Sequence, residues 1–102
     1  MRSHETIDQR SLAMVRAIVA KIDADPARTG LEHAREVCRN WVSAGNRPAM
    51  EWSVIMALPW EEIRTILLDE SEEGQRLRQS DPFCGILSPE ERWTIYREFE
   101  ER

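Results

Sequence analysis

Residues 48–58 read Pro48-Ala49-Met50-Glu51-Trp52-Ser53-Val54-Ile55-Met56-Ala57-Leu58, and their pattern decides the fold. Proline suits the first turn of a helix, where its missing N–H has no partner to lose, so a helix is expected to begin there. Beyond it Met50, Trp52, Val54, Ile55, Met56 and Leu58 are interrupted only by Glu51 and Ser53. A short helix that is apolar nearly all round belongs at the buried centre of a domain, or on a face that a partner covers. The expected fold is therefore all-α, a small bundle of about five helices arranged around this segment, with no sheet.

Upstream, two amphipathic helices are expected. Over 6–24, Ile7, Leu12, Met14, Val15, Ile18, Val19 and Ile22 share one face, and Asp25-Pro26 stops the run. Over 29–44, Leu31, Ala34, Val37, Cys38, Trp41 and Val42 do the same, and Gly45-Asn46 reads as a left-handed stop. Thr6 with Gln9, and Thr29 with Glu32, have the spacing of capping boxes.

Downstream, Pro59 opens a helix to about Leu68 whose first turn carries Glu61 and Glu62, where the helix dipole favours acids. Ser71 can cap a short helix bearing Leu77, and 80–87 reads as an ordered loop whose apolar residues plug the core or, in the less favoured reading, dock on a partner. Ser88-Pro89-Glu90-Glu91 combines an N-cap, a proline at the first position and a glutamate three residues on, the strongest helix start in the chain. Trp93, Tyr96 and Phe99 are expected on the inner face of that last helix. No run alternates with period two, so no strand is expected.

The chain of 102 residues is the size of one domain, expected over 1–102 with 1–5 and 101–102 frayed. Its longest apolar run, Val54 to Trp60, is far short of the roughly 20 residues that span a bilayer. No apolar stretch follows the N-terminus as a secretory signal would require, so a cytoplasmic protein with Cys38 and Cys84 reduced is expected. The net charge of −5 is uneven: residues 1–58 hold eight basic and seven acidic residues, residues 59–102 six and twelve. Such a half repels phosphate backbones, so nucleic acid is not an expected partner. Thirteen of fourteen basic residues are arginine, a bias that GC-rich genomes produce.

Chemistry is hard to place on this chain. His33 and Cys38 lie about 140° apart on their helix and cannot share one metal ion. The four glycines are isolated, which excludes a phosphate loop, and the paired glutamates sit at helix starts for dipole reasons. Glu51 is the one carboxylate with a case for a raised pKa, unless it faces solvent or pairs with an arginine such as Arg47. No catalytic residue, cofactor or metal is expected.

Residues Pro59 to Arg64, a turn, and Gln75-Arg76-Leu77-Arg78-Gln79 resemble the helix-turn-helix of sigma-factor DNA-binding regions over about 20 residues. That resemblance implies base reading by Arg76 and Arg78. It departs from the family in an acidic link, a very short second helix and three arginines against six acids over 59–80.

The four tryptophans, Trp41, Trp52, Trp60 and Trp93, favour a protein interface instead, because tryptophan is a preferred anchor there. The expected function is a non-enzymatic interaction or regulatory module, self-associating through the apolar central helix or binding a protein partner. An acidic mimic of nucleic acid, of the kind encoded by phage and mobile elements, is the alternative. The candidate partner-binding residues are Trp52, Met56, Glu61, Glu62, Glu72, Glu73, Arg76, Arg78 and Phe83.

Overall fold

The computed structural model describes residues 4–100, with side chains from residue 8 onward. Six helices follow one another: α1 (His4–Asp23), α2 (Thr29–Ser43), α3 (Arg47–Met56), α4 (Trp60–Leu67), α5 (Glu72–Arg78) and α6 (Pro89–Glu100). The short α5 is the helix that Ser71 was expected to cap, and the count of six is close to the five or so expected. There is no strand among the described residues. Of the expected frayed ends, residues 4 and 5 are already helical, and 1–3, 101 and 102 lie outside the described residues.

The inward stripe of α1, Val15, Ile18, Val19 and Ile22, meets Leu31, Ala34 and Cys38 of α2, and Ala49, Trp52 and Met56 of α3. Ile63 and Leu67 of α4 close the core from the other side. Its centre is aromatic. Phe83, carried by the loop before α6, sits between Trp52 (ring centroids 6.3 Å, 75° between planes) and Trp60 (6.5 Å, 52°). The 80–87 loop is thus the plug its composition implied, with Pro82, Phe83, Ile86 and Leu87 all buried.

Helix starts divide into those the sequence marks and those tertiary contacts impose. Ser88 and Glu91 form the expected reciprocal box: Glu91 N–H donates to Ser88 Oγ at 3.1 Å, and Ser88 N–H to Glu91 Oε1 at 2.8 Å. Ser71 Oγ accepts from Gly74 N–H, and Gly45 is left-handed (φ 84°) where α2 stops. The other two boxes do not form. α1 is already helical at His4, which puts Thr6 inside its first turn. At α2 the N-cap is Arg28, itself left-handed (φ 54°). Thr29 there gives its N–H (2.9 Å) and hydroxyl (2.5 Å) to Asp25, whose carboxylate also takes Ala27 N–H. Asp25 thus organises the turn after α1 and outcompetes Glu32, which pairs with Arg35.

Helix ends are where the arginines act. Arg28 Nη1 donates to the carbonyls of Ile22 (2.8 Å), Asp23 (3.1 Å) and Asp25 (3.0 Å), closing α1. Arg35 closes α3 from α2, with Nε on Met56 O (3.0 Å) and Nη2 on Leu58 O (3.2 Å). Arg78 closes α4 from α5, with Nη1 on Leu67 O (3.2 Å) and on Asp69 O. Each guanidinium takes the carbonyl of a last helical residue and the one two residues beyond. The last carbonyls of a helix have no partner within it, so each contact satisfies a group that burial would otherwise penalise.

Gly74 makes the Arg78 contact possible. A Cβ at this position would lie 2.0 Å from Asp69 O, so only glycine lets α5 rest against the end of α4. Alanine for glycine inside a helix normally stabilises by about 1 kcal/mol. Gly74→Ala is expected to do the reverse, lowering stability by about 1–3 kcal/mol through overpacking and loss of the Arg78 geometry. Denaturant unfolding of the variant checks the sign.

Candidate functional site

The apolar run of α3 was expected at the buried centre or on a face that a partner covers, and the structure divides it between a buried and an exposed stripe. Its inner stripe is Ala49, Trp52 and Met56, each at most 5% exposed. Its outer stripe is also apolar: Met50, Val54 and Ala57 fall within about 60° of one another on the helix. Met50 is 48% and Val54 70% exposed. The reason is geometric. Helix α2 covers one side of α3 and the Phe83 plug the inner side, so none of the described residues covers the third.

Beside this ridge, α2 and α3 leave a groove of about 560 Å³ lined by Cys38, Val42, Met56 and Ala57, with Arg35, Arg39, Ser43 and Ser53 on its sides. Cys38 Sγ donates to Ala49 O at 3.5 Å, and burial pushes its thiol above the ordinary range. Both cysteines are free, Cys38 buried and Cys84 exposed.

The candidate partner-binding residues divide sharply. Trp52, Met56, Phe83 and Arg78 are buried, so none of them is available to a partner. Trp52 also spends its indole N–H on Leu77 O at 3.0 Å. Arg78 is drawn inward by the Leu67 and Asp69 carbonyls and by Asp8 Oδ1 at 3.0 Å. Arg76 is exposed but occupied. Its two terminal nitrogens grip Glu51 at 2.9 and 2.7 Å, and Glu73 accepts from Nε at 3.2 Å and from Nη2. Arg76 holds the Glu51 carboxyl below its ordinary range, so the raised pKa does not occur; Glu51 pairs with an arginine as expected, Arg76 in place of Arg47. Glu61, Glu62 and Glu72 stand exposed on α4 and α5. Trp93 is 53% exposed with Arg97 over its ring, because the inner face of α6 centres on Ile95, Tyr96 and Phe99 instead.

A second concavity, of about 350 Å³, opens between α1, α6 and the plug loop. Asp81 lies in its wall, partly buried, and accepts Phe83 N–H at 2.9 Å. Desolvation pushes its carboxyl from an ordinary 3.8 up to about 6, against the pull of the Phe83 N–H and of Arg78. The sign follows from linkage. The folded state holds the Asp81 proton more tightly, so this contribution is complete below pH 3.8 and lost as pH rises through 6. Asp81→Asn keeps the acceptor for Phe83 N–H and removes the charge. It is expected to raise stability at pH 7 by about 1–2 kcal/mol, a value discounted for partial exposure, with no gain at pH 3.5. Urea unfolding at the two pH values measures it. The opposite trend comes from Asp23, lowered by the indole N–H of Trp60 and by Arg64, and from Glu91, pulled down to about 2 by Lys21 and Ser88 N–H. Their contributions are present above their ordinary values and fade as pH falls through the depressed ones.

Among the described residues no group of three His, Cys, Asp or Glu side chains could hold a metal ion, and no helix is long and apolar enough to cross a membrane. Comparison with family models, with curated proteins and with solved structures gives no match. Sequence reasoning missed Met50, Val54 and Asp81. The signal for the first two was present in the apolar character of α3 on both faces. Asp81 carried none, because its burial depends on how the plug loop folds back over α1.

Proposed function

We propose that this protein is a non-enzymatic interaction module that self-associates through the outer face of α3. The observation that supports the reading is the pair Met50 and Val54, two large apolar side chains one turn apart and exposed beside an apolar groove. Met50 and Val54 flank the middle of α3, so two copies related by a two-fold axis bring Met50 of one against Val54 of the other. That self-complementarity is what an isologous contact requires. Ala57 and Ser53 are small and let the two helices approach.

The experiment is sedimentation equilibrium on the wild type and on Val54→Glu. The wild type is expected to dimerise with concentration. The variant is expected to remain monomeric with an unchanged melting point, since its site is solvent in the monomer. A wild type that stays monomeric through the high micromolar range overturns the reading.

The other readings have less support. The base-reading arginines of a helix-turn-helix are the two that the fold engages, Arg76 by carboxylates and Arg78 by the core. An acidic mimic needs free charge, and Arg76 occupies Glu51 and Glu73 while Arg16 stands 3.8 Å from Glu70.

A further inference from the structure

We propose that the cleft between α1, α6 and the 81–87 loop binds a small zwitterion with an apolar side chain, its ammonium toward Asp81 and its carboxylate toward Arg10 and Arg92. This cleft is separate from the α2–α3 groove, and the proposal does not depend on self-association.

Three observations carry it. First, the cleft has a floor and a size. Val15, Ile18, Phe83 and Leu87 are buried residues that line it, and about 350 Å³ lies within the usual small-ligand range of about 300–1,000 Å³. Second, its carboxylate lacks a cation. Asp81 makes no ion pair among the described residues, and its one hydrogen bond is to Phe83 N–H. Arg78, whose charge reaches it, spends both terminal nitrogens on Leu67 O, Asp69 O and Asp8. A desolvated carboxylate with one oxygen unspent is a site for an ammonium donor.

Third, the side formed by α1 and α6 is basic. Arg10 of α1 lies 4.9 Å over the Tyr96 ring, and Arg92 stands one turn before Tyr96 on α6, so both guanidinium groups line the α1–α6 side. Neither has a carboxylate partner among the described residues. Arginine is the side chain best shaped to take a carboxylate through two parallel hydrogen bonds. A purely anionic ligand would meet Asp81, and a purely cationic one the two arginines. A molecule carrying both charges with an apolar body satisfies every group.

Cys84 supplies the readout. It lines the cleft and is exposed, whereas Cys38 is buried with a less acidic thiol, so iodoacetamide reports on Cys84. Cys84→Ser fixes the Cys38 background. L-leucine and L-phenylalanine at millimolar concentration are expected to slow Cys84 alkylation severalfold. The single-charge analogues 4-methylpentanoate and 3-methylbutylamine should need about tenfold more, the value of one charge-assisted hydrogen bond. Asp81→Asn, which keeps the fold, should abolish the advantage of the amino acids over the carboxylate, and Arg92→Ala their advantage over the amine. No protection by either amino acid at tens of millimolar overturns the proposal, as does equal protection by the single-charge analogues.

Discussion

Arg78→Ala is expected to cost about 3–5 kcal/mol of folding stability, the usual consequence of removing one partner of a buried ion pair. The substitution does more than remove a charge. It strands Asp8, frees the Leu67 and Asp69 carbonyls at the end of α4, and leaves a void where a buried side chain stood. A domain of this size has about 5–15 kcal/mol in total, so the loss is a large share of its stability. Chemical denaturation against the wild type measures the loss. Arg78→Lys separates charge from shape. A lysine keeps the Asp8 pair but cannot present a planar fork to two carbonyls as well, so most of the loss should remain. Recovery of near wild-type stability by lysine would mean that the ion pair alone matters.

The second large effect is at Trp52. Its side chain is 1% exposed and touches the centre of the core, edge-on to Phe83. Trp52→Ala is expected to destabilise by about 3–5 kcal/mol, through lost transfer energy and the cavity left behind. Trp52→Phe keeps much of the volume but loses the indole bond to Leu77 O. Ser80 N–H also reaches that carbonyl, at 3.2 Å, so the carbonyl is not orphaned and the loss should be only about 1–2 kcal/mol. Near-UV circular dichroism, dominated by the Trp52, Phe83 and Trp60 cluster, should flatten in the alanine variant before far-UV signal is lost.

The contrast between these two residues shows how far the sequence could be read. Trp52 sits on a helix whose proline start was plain, so its helix followed from local pattern. A run apolar on nearly every side did not say which face turns inward, and Trp52 stood among the partner-binding candidates although it is buried. The inner faces of α1, α2 and α4 were legible from their period. Arg78 was not. Nothing within a few residues of it announces that Leu67 O, Asp69 O and Asp8 will converge there. By residue type it resembled a surface base reader. The Thr29 capping box failed similarly: its spacing was correct, and Asp25 in the preceding turn won the contact. Local rules fixed the helices. What they could not supply was which side of α3 the rest of the chain would leave uncovered, and that uncovered side carries the candidate interface.

The guanidinium forks at the ends of α3 and α4 also bear on how this sequence can drift. Lysine and arginine exchange freely on most surfaces, and a chain with every arginine replaced would keep its net charge of −5. At Arg35 and Arg78 that exchange trades several donors fixed in a plane for one mobile ammonium, whereas Arg28 makes its three contacts from Nη1 alone. Each such change would undo a helix end at constant charge. Arg39, Arg47 and Arg97, which hold no carbonyl among the described residues, should accept lysine with little effect. The arginine bias therefore contains two populations, one that composition can wear away and one that the backbone will not release.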